Sequence, residues 1–248
     1  MLNIDIITIF HEMFDALKYG ITGRALKNHL LALNYFNPRD YTENKYGKID
    51  DHSYGGGPGM VMMVEPLRQA ILDAKQKGPA KTILLTPQGR LLTQEKIKSL
   101  SQEKHLILIC GRYEGIDQRL IDLEVDEELS LGDYVLSGGE IAAMSIIDAI
   151  TRLIPGALGD DTSSESESFS DGLLEYPQYT RPEIIHGKSV PKTLLSGNHE
   201  EIRLWRLKQS LGKTYLKRPD LLKKRELTTL ESMLLSEFLA ENIENKNE

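Results

Sequence analysis

Four glycine-bearing segments carry the residues best able to hold a ligand: YGGGPGM at 54–60, TPQGR at 86–90, CGRYEG at 110–115 and LSGGE at 136–140. Glycine lets backbone N–H and C=O groups come close to a bound molecule. The second and third segments follow directly on apolar runs, TILLT at 82–86 and LILIC at 106–110. In a parallel α/β sheet, the loops at the carboxyl ends of the strands build the ligand site. Several such loops meeting at one edge would suit a small molecule with an adenine and a polar tail, although any one of them alone reads as an ordinary turn. Phosphate cradles have no support. There is no G-x-x-x-x-G-K-[ST], and GGGPGM neither follows a predicted strand nor has dinucleotide spacing. G-x-S-x-G and H-E-x-x-H are absent too, and the histidines, among them His11, His52 and His199, are scattered.

The elements that must position these loops are legible as an alternation. Strands are predicted at 4–9, 82–86 and 106–110, as the continuous apolar runs of a buried parallel sheet. Helices are predicted at 65–77, opening with Pro66 and closing before Gly78-Pro79, at 93–103 and at 140–153. Residues 159–172 (GDDTSSESESFSDG) hold five serines, five acids and no Lys or Arg, which is linker composition. Phe169 is the one large apolar group there, placed to anchor the segment on something folded. Beyond it, Asn198 with Glu201 and Thr228 with Glu231 read as helix starts. Ile202 and Trp205 share one helical face; Leu227, Leu230, Leu234 and Phe238 form another apolar stripe. The expected division is 1–158, a linker at 159–172, and a helical, basic part at 173–248.

The 248 residues suffice for one large domain or a medium and a small one. The single cysteine, Cys110, excludes an internal disulfide and a Cys-based zinc site and fits a reducing cytoplasm. The opening MLNIDIITIF has Asp5 within its apolar run and no basic lead, so it reads as a strand, and no apolar stretch is long enough to span a bilayer. The net charge of -7 is uneven: Arg181 to Arg225 holds 12 Lys+Arg against 4 Asp+Glu, a local +8, which leaves -15 on the remainder. On charge alone, a solvated helix face and a nucleic-acid contact weigh equally.

Longer motifs break the tie. YGITGRALK (19–27), DDHSYGGGPGMVMM (50–63), LTPQGR (85–90), LICGRYEGID (108–117), LSLGDYVLSGGE (129–140), RLIPGALG (152–159), SFSDGLLEYPQYTRP (168–182) and LLSGNHEEIRLWRLKQSLGKT (194–214) occur collinearly. On these segments the chain resembles the bacterial tRNA (guanine-37-N1)-methyltransferases, the TrmD family of the SPOUT class, from about Ile4 to Phe238. The resemblance implies an α/β fold whose parallel sheet contains a deep trefoil knot, plus a small, mostly helical C-terminal domain. It implies S-adenosylmethionine held by Pro87, Gly89, Gly111, Tyr113, Glu114, Gly115, Ser130, Leu131, Gly132, Tyr134, Leu136, Gly138 and Gly139. It implies a cytoplasmic homodimer that shares its active site between subunits and grips the tRNA anticodon stem-loop.

Methylation at guanine N1 needs a base to take the N1 proton and a cation or hydrogen-bond donor to meet the charge that grows on O6. The resemblance gives the second role to Arg152. It gives the first to the position before the Ser-Phe pair, where familiar members have aspartate and this chain has Glu167. Taken by itself Glu167 reads as one solvated acid among five; Asp161, Glu165 and Asp171 are weaker substitutes. The target base is expected to flip into the site. Arg203, Arg206, Lys208 and Lys213 are expected to hold phosphates, and Arg24 and Asp50, in matching motifs, to touch the tRNA. Magnesium is expected to assist through RNA or substrate oxygens, with no protein cage. The competing readings are another RNA methyltransferase of the same class, disfavoured by the ESF linker, and a non-catalytic RNA-binding relative, disfavoured by intact GRYEG and LSGGE loops.

Overall fold

The computed structural model describes residues 1–158 and 167–244. Internal contacts divide the chain into two compact units, Met1–Asp161 and Thr162–Glu248. Residues 159–166, the first part of the linker expected at 159–172, lie outside the described residues, and Asp161 and Glu165 with them.

In chain order the first unit runs β1 (Leu2–Ile7), a 3-10 stretch at His11–Lys18, α1 (Gly20–Lys27), β2 (Leu31–Phe36), β3 (Asp50–Asp51), β4 (Val61–Met62), α2 (Val64–Lys75), β5 (Lys81–Leu91), α3 (Gln94–Leu100), β6 (His105–Cys110), α4 (Gln118–Glu124), β7 (Glu127–Ser130) and α5 (Glu140–Thr151). Five of the strands form one parallel sheet, ordered β2-β1-β6-β5-β7. Alternate residues of β6 face opposite sides. Leu106, Leu108 and Cys110 join a core with Phe14 and with Ile146, Ile147 and Ile150 of α5. Ile107 and Ile109 join a second core with Leu67, Ala70 and Ile71 of α2. Helices therefore cover both faces, which is why residues 106–110 of β6 are apolar at every position. Each such fully buried Leu or Ile contributes about 1.5–3 kcal/mol.

The structure moves several expected boundaries. The first strand ends at Ile7 rather than at 9, because Thr8 Oγ1 accepts the Phe10 N–H at 3.1 Å and turns the chain. The helix expected at 93–103 is Gln94–Leu100, with Thr93 outside it as N-cap, its hydroxyl accepting the Lys96 N–H at 3.3 Å. The strand expected at 82–86 continues to Leu91. Leu85 and Arg90 both stand opposite Leu129, so residues 86–89 are pushed out of the ladder between them as a bulge.

Asp5 lies in the middle of the sheet with no exposure to solvent. A buried carboxylate is tolerable only when paired and hydrogen-bonded. Oδ1 accepts from Asn34 Nδ2 at 2.7 Å and from Lys77 Nζ at 3.1 Å, while His105 Nε2 lies 3.0 Å from Oδ2.

The second unit holds a small hairpin, β8 (Ile184–Ile185) and β9 (Lys188–Ser189), then α6 (Lys192–Leu195), α7 (His199–Lys217), α8 (Pro219–Leu222) and α9 (Thr229–Glu244). Asn198 Oδ1 accepts the N–H groups of Glu200 and Glu201 at the start of α7. Thr228 and Glu231 exchange backbone-to-side-chain hydrogen bonds at the start of α9, a capping box. The small core centres on Leu173, Leu211 and Leu234. α7 and α9 approach so closely that a Cβ on Gly212 would fall 2.1 Å from the Phe238 ring. In a free helix Gly→Ala gains about 1 kcal/mol. Here the sign reverses: Gly212→Ala is expected to destabilise by about 1–3 kcal/mol. A lower urea midpoint shows this, and a raised midpoint would contradict the packing described.

Candidate functional site

A cleft of about 400 Å³ opens at the carboxyl edge of the sheet. The β5 bulge supplies Pro87, the segment after β6 supplies Gly111, Tyr113, Glu114 and Gly115, and the segment from β7 to α5 supplies Ser130, Leu131, Gly132, Tyr134, Leu136, Gly138 and Gly139. Apart from Gly89, every position expected to hold S-adenosylmethionine lines this one cavity. Gly89 lies beside it, packed on the Glu128–Leu129 backbone where a Cβ would meet Leu129 N at 2.4 Å.

Two residues that sequence reasoning passed over hold the cleft together. Glu140, the first residue of α5, is fully buried. Its Oε1 accepts from Thr8 Oγ1 at 3.0 Å and from Arg112 Nε at 3.2 Å. Arg112 Nη2 stands 2.9 Å from Oε2, close enough for an ion pair but not aligned as a hydrogen bond. Arg112 Nη1 also donates to the Ser137 carbonyl at 3.0 Å, and its guanidinium lies 4.6 Å from the Phe10 ring centroid. One arginine thus ties the loop after β6 to the loop before α5. Gly138 makes room for it, since a Cβ there would fall 2.3 Å from Arg112 Nε; Gly139 instead lets the start of α5 pack on the end of β6, where a Cβ would fall 2.7 Å from Cys110 Cα. Arg112 and Glu140 sit inside the GRYEG and LSGGE motifs, and their opposite charges were the available signal. Burial first, then the nearby Glu140 charge, pushes the Cys110 thiol well above its ordinary range, so that thiol is held inert.

The hairpin loop between β3 and β4 joins the same edge. Met62 N donates to the Gly115 carbonyl and Glu114 N to that of Met60, both at 2.9 Å. Asp50, expected to touch tRNA, lies near the Tyr113 phenol, as does Arg39. Burial, then the Asp50 charge, raises the Tyr113 pKa. Arg24 lies on the exposed side of α1, away from the cleft lining.

Arg152 caps the C-terminus of α5 in the first unit. In the second unit Glu167 lines a separate hollow of about 430 Å³ with Asp171, His199, Arg203 and Arg206. The stretch after Glu167 is well tied: Ser170 N donates to the Glu167 carbonyl at 3.2 Å, Phe169 N to that of Leu173 at 2.7 Å, and Glu175 N to Ser168 Oγ at 3.0 Å. Phe169, expected to anchor the segment, is instead 41% exposed and joins no core among the described residues, with the Arg218 guanidinium 5.9 Å from its ring centroid. The expected phosphate contacts are unequal. Lys208 is paired with Glu241 at 2.7 Å and only 15% exposed; Lys213 Nζ donates to the Glu175 carbonyl at 3.0 Å; Arg203 is paired with Glu200 at 2.7 Å. Arg206 is exposed beside Tyr176. Among the described residues no helix is long and apolar enough to cross a membrane.

A parallel sheet with both faces covered and a glycine-lined cleft at its carboxyl edge defines an α/β protein built to hold a small ligand there. A family model described as tRNA (Guanine-1)-methyltransferase TrmD matches residues 2–224, and the chain belongs to that family. It is 58% identical over 237 residues to a tRNA (guanine-N(1)-)-methyltransferase of Shewanella sp. (strain ANA-3), covering 94% of this chain and 96% of the relative. It is 54% identical over 242 residues to a protein of the same name from Marinomonas sp. (strain MWYL1), covering 97% of each.

Truncating one partner of a buried ion pair leaves the other uncompensated. Arg112→Met is therefore expected to destabilise the first unit by about 3–5 kcal/mol, seen as a lower melting temperature. Arg112→Met combined with Glu140→Met should recover most of that loss. Equal losses in the single and double variants would show that the pair does not brace the cleft.

Proposed function

We propose that this chain methylates N1 of guanine 37 in the anticodon loop of tRNA, using S-adenosylmethionine. The observation that carries the reading is the convergence of the three glycine-bearing segments on one cleft, in a chain of this family. The residues present fit the donor. Leu129, Leu131 and Ala142 give apolar walls, and Gly111, Gly132, Gly138 and Gly139 leave backbone groups open to an adenosine. The reading also takes the cleft as wrapped in a deep trefoil knot. Support comes from the strand order: β5 is laid down away from β1, and β6 later fills the gap between them.

S-adenosylmethionine, when bound, supplies the methyl group as an activated sulfonium. The chain's own residues then have two tasks. The Glu167 carboxylate takes the N1 proton, and Arg152 meets the negative charge that develops on O6. Glu167 keeps the acid–base chemistry of a carboxylate with one methylene more reach than aspartate. The reading places the two groups together across a homodimer. Uncovered apolar side chains beside the cleft support a partner subunit there: Tyr134 is 55% exposed and Val135 86%. Magnesium, in this reading, acts through RNA or substrate oxygens.

The test is methyl transfer from labelled S-adenosylmethionine to a transcript with G37, beside one with that base changed. Transfer is expected only to the first. Glu167→Gln should lower kcat by about 10²–10⁴-fold and Arg152→Ala by about 10²–10³-fold. Transfer surviving Glu167→Gln would remove Glu167 as the base. Transfer to both transcripts would remove the assignment to position 37.

A further inference from the structure

Apart from Arg206, the roles assigned above leave unused a groove of about 800 Å³ in the second unit, whose lining includes Tyr176, Tyr179, Arg181, Ile202, Trp205 and Arg206. Ile202, Trp205 and Arg206 come from the early turns of α7, and the others from the extended stretch before β8. Tyr179 and Trp205 stand 6.3 Å apart with their planes tilted by 57°, so neither stacks flat on the other, and Tyr179 is 48% exposed. The Arg206 guanidinium lies 4.8 Å from the Tyr176 ring centroid.

We propose that this groove takes a nucleobase of the bound RNA, one other than the base that is methylated, stacked against Trp205 and Tyr179 and flanked by Arg206 and Arg181. The inference rests on reading the chain as an enzyme acting on tRNA. Every base presents a π face, and aromatic rings beside guanidinium groups capture unpaired bases without needing their sequence. The surrounding segment, Arg181 to Arg225, carries the local +8 that draws a phosphate backbone. An acidic protein surface would answer that charge equally well. It would have less use for a half-exposed tyrosine ring and a tryptophan lining one groove with two arginines.

Trp205 is the only tryptophan in the chain, so its emission reports this groove alone. The full chain is titrated with the G37 transcript, and methyl transfer is measured for wild type, Trp205→Phe and Trp205→Leu. The expected result is saturable quenching in wild type. KM for tRNA should rise about fivefold to a hundredfold in Trp205→Leu, with kcat unchanged and the S-adenosylmethionine-induced melting shift intact, while Trp205→Phe keeps the wild-type KM. Unchanged emission at transcript concentrations that saturate methyl transfer overturns the proposal, and so does an unchanged KM in Trp205→Leu. Emission that shifts with protein concentration in the absence of RNA gives the groove to a second copy of the chain and also overturns it. Failure of wild type to methylate the transcript strikes the functional reading itself, separately from these outcomes.

Discussion

The Glu140 carboxylate stands at the head of α5 without contact with water, and it is the point from which the cleft is hung. Burial of an ionised carboxylate is tolerated there because Arg112 and Thr8 reach it from two other strand ends, and because a helix N-terminus favours negative charge. Three carboxyl-edge segments are therefore fixed relative to one another by a single charge. Remove that charge and the loop before α5 loses its link through Arg112 to the loop after β6. Gly138 follows from the same constraint, since the arginine passes where its Cβ would otherwise be.

The sheet supplies the cleft from below in a different way. A strand that ran straight through Thr86–Gly89 would close the edge. By placing Leu85 and Arg90 opposite the same residue, β5 lifts four residues over the opening and then resumes its pairing. Pro87 and Gln88 thus become cleft wall, and Gly89 becomes the foot on which the bulge stands against β7.

Much of the first unit was legible because its signals are local. Apolar runs at 82–86 and 106–110 mark strands buried on both sides, and Thr93 marks a helix start whichever way the chain folds around it. The ligand residues were legible through long motifs, not through spacing. β2, β7 and the two-residue strands β3 and β4 were missed because LALNYF and EELS are too mixed and DD and VM too short to show a period; their pairing is decided by neighbours distant in sequence. Arg112 and Glu140 were missed for a related reason. Each looks like a surface charge until a contact 28 residues away is known. Lys208 shows the converse: a basic residue on a basic helix looks free until Glu237 and Glu241 of another helix are seen beside it.

The position of β6 has a consequence for how the molecule comes to exist. Its pairing with β1 joins Asn3 to His105, a separation that makes the centre of the sheet strongly non-local. Loop-closure entropy has to be met before such contacts reward it, so assembly of this sheet is slow for its size. During synthesis β1 and β2 emerge long before the strand that covers the other edge of β1. The nascent chain carries that bare edge in the interval, open to pairing with other chains. Sites that work by bringing distant loops to one edge inherit this exposure until the last strand is in place.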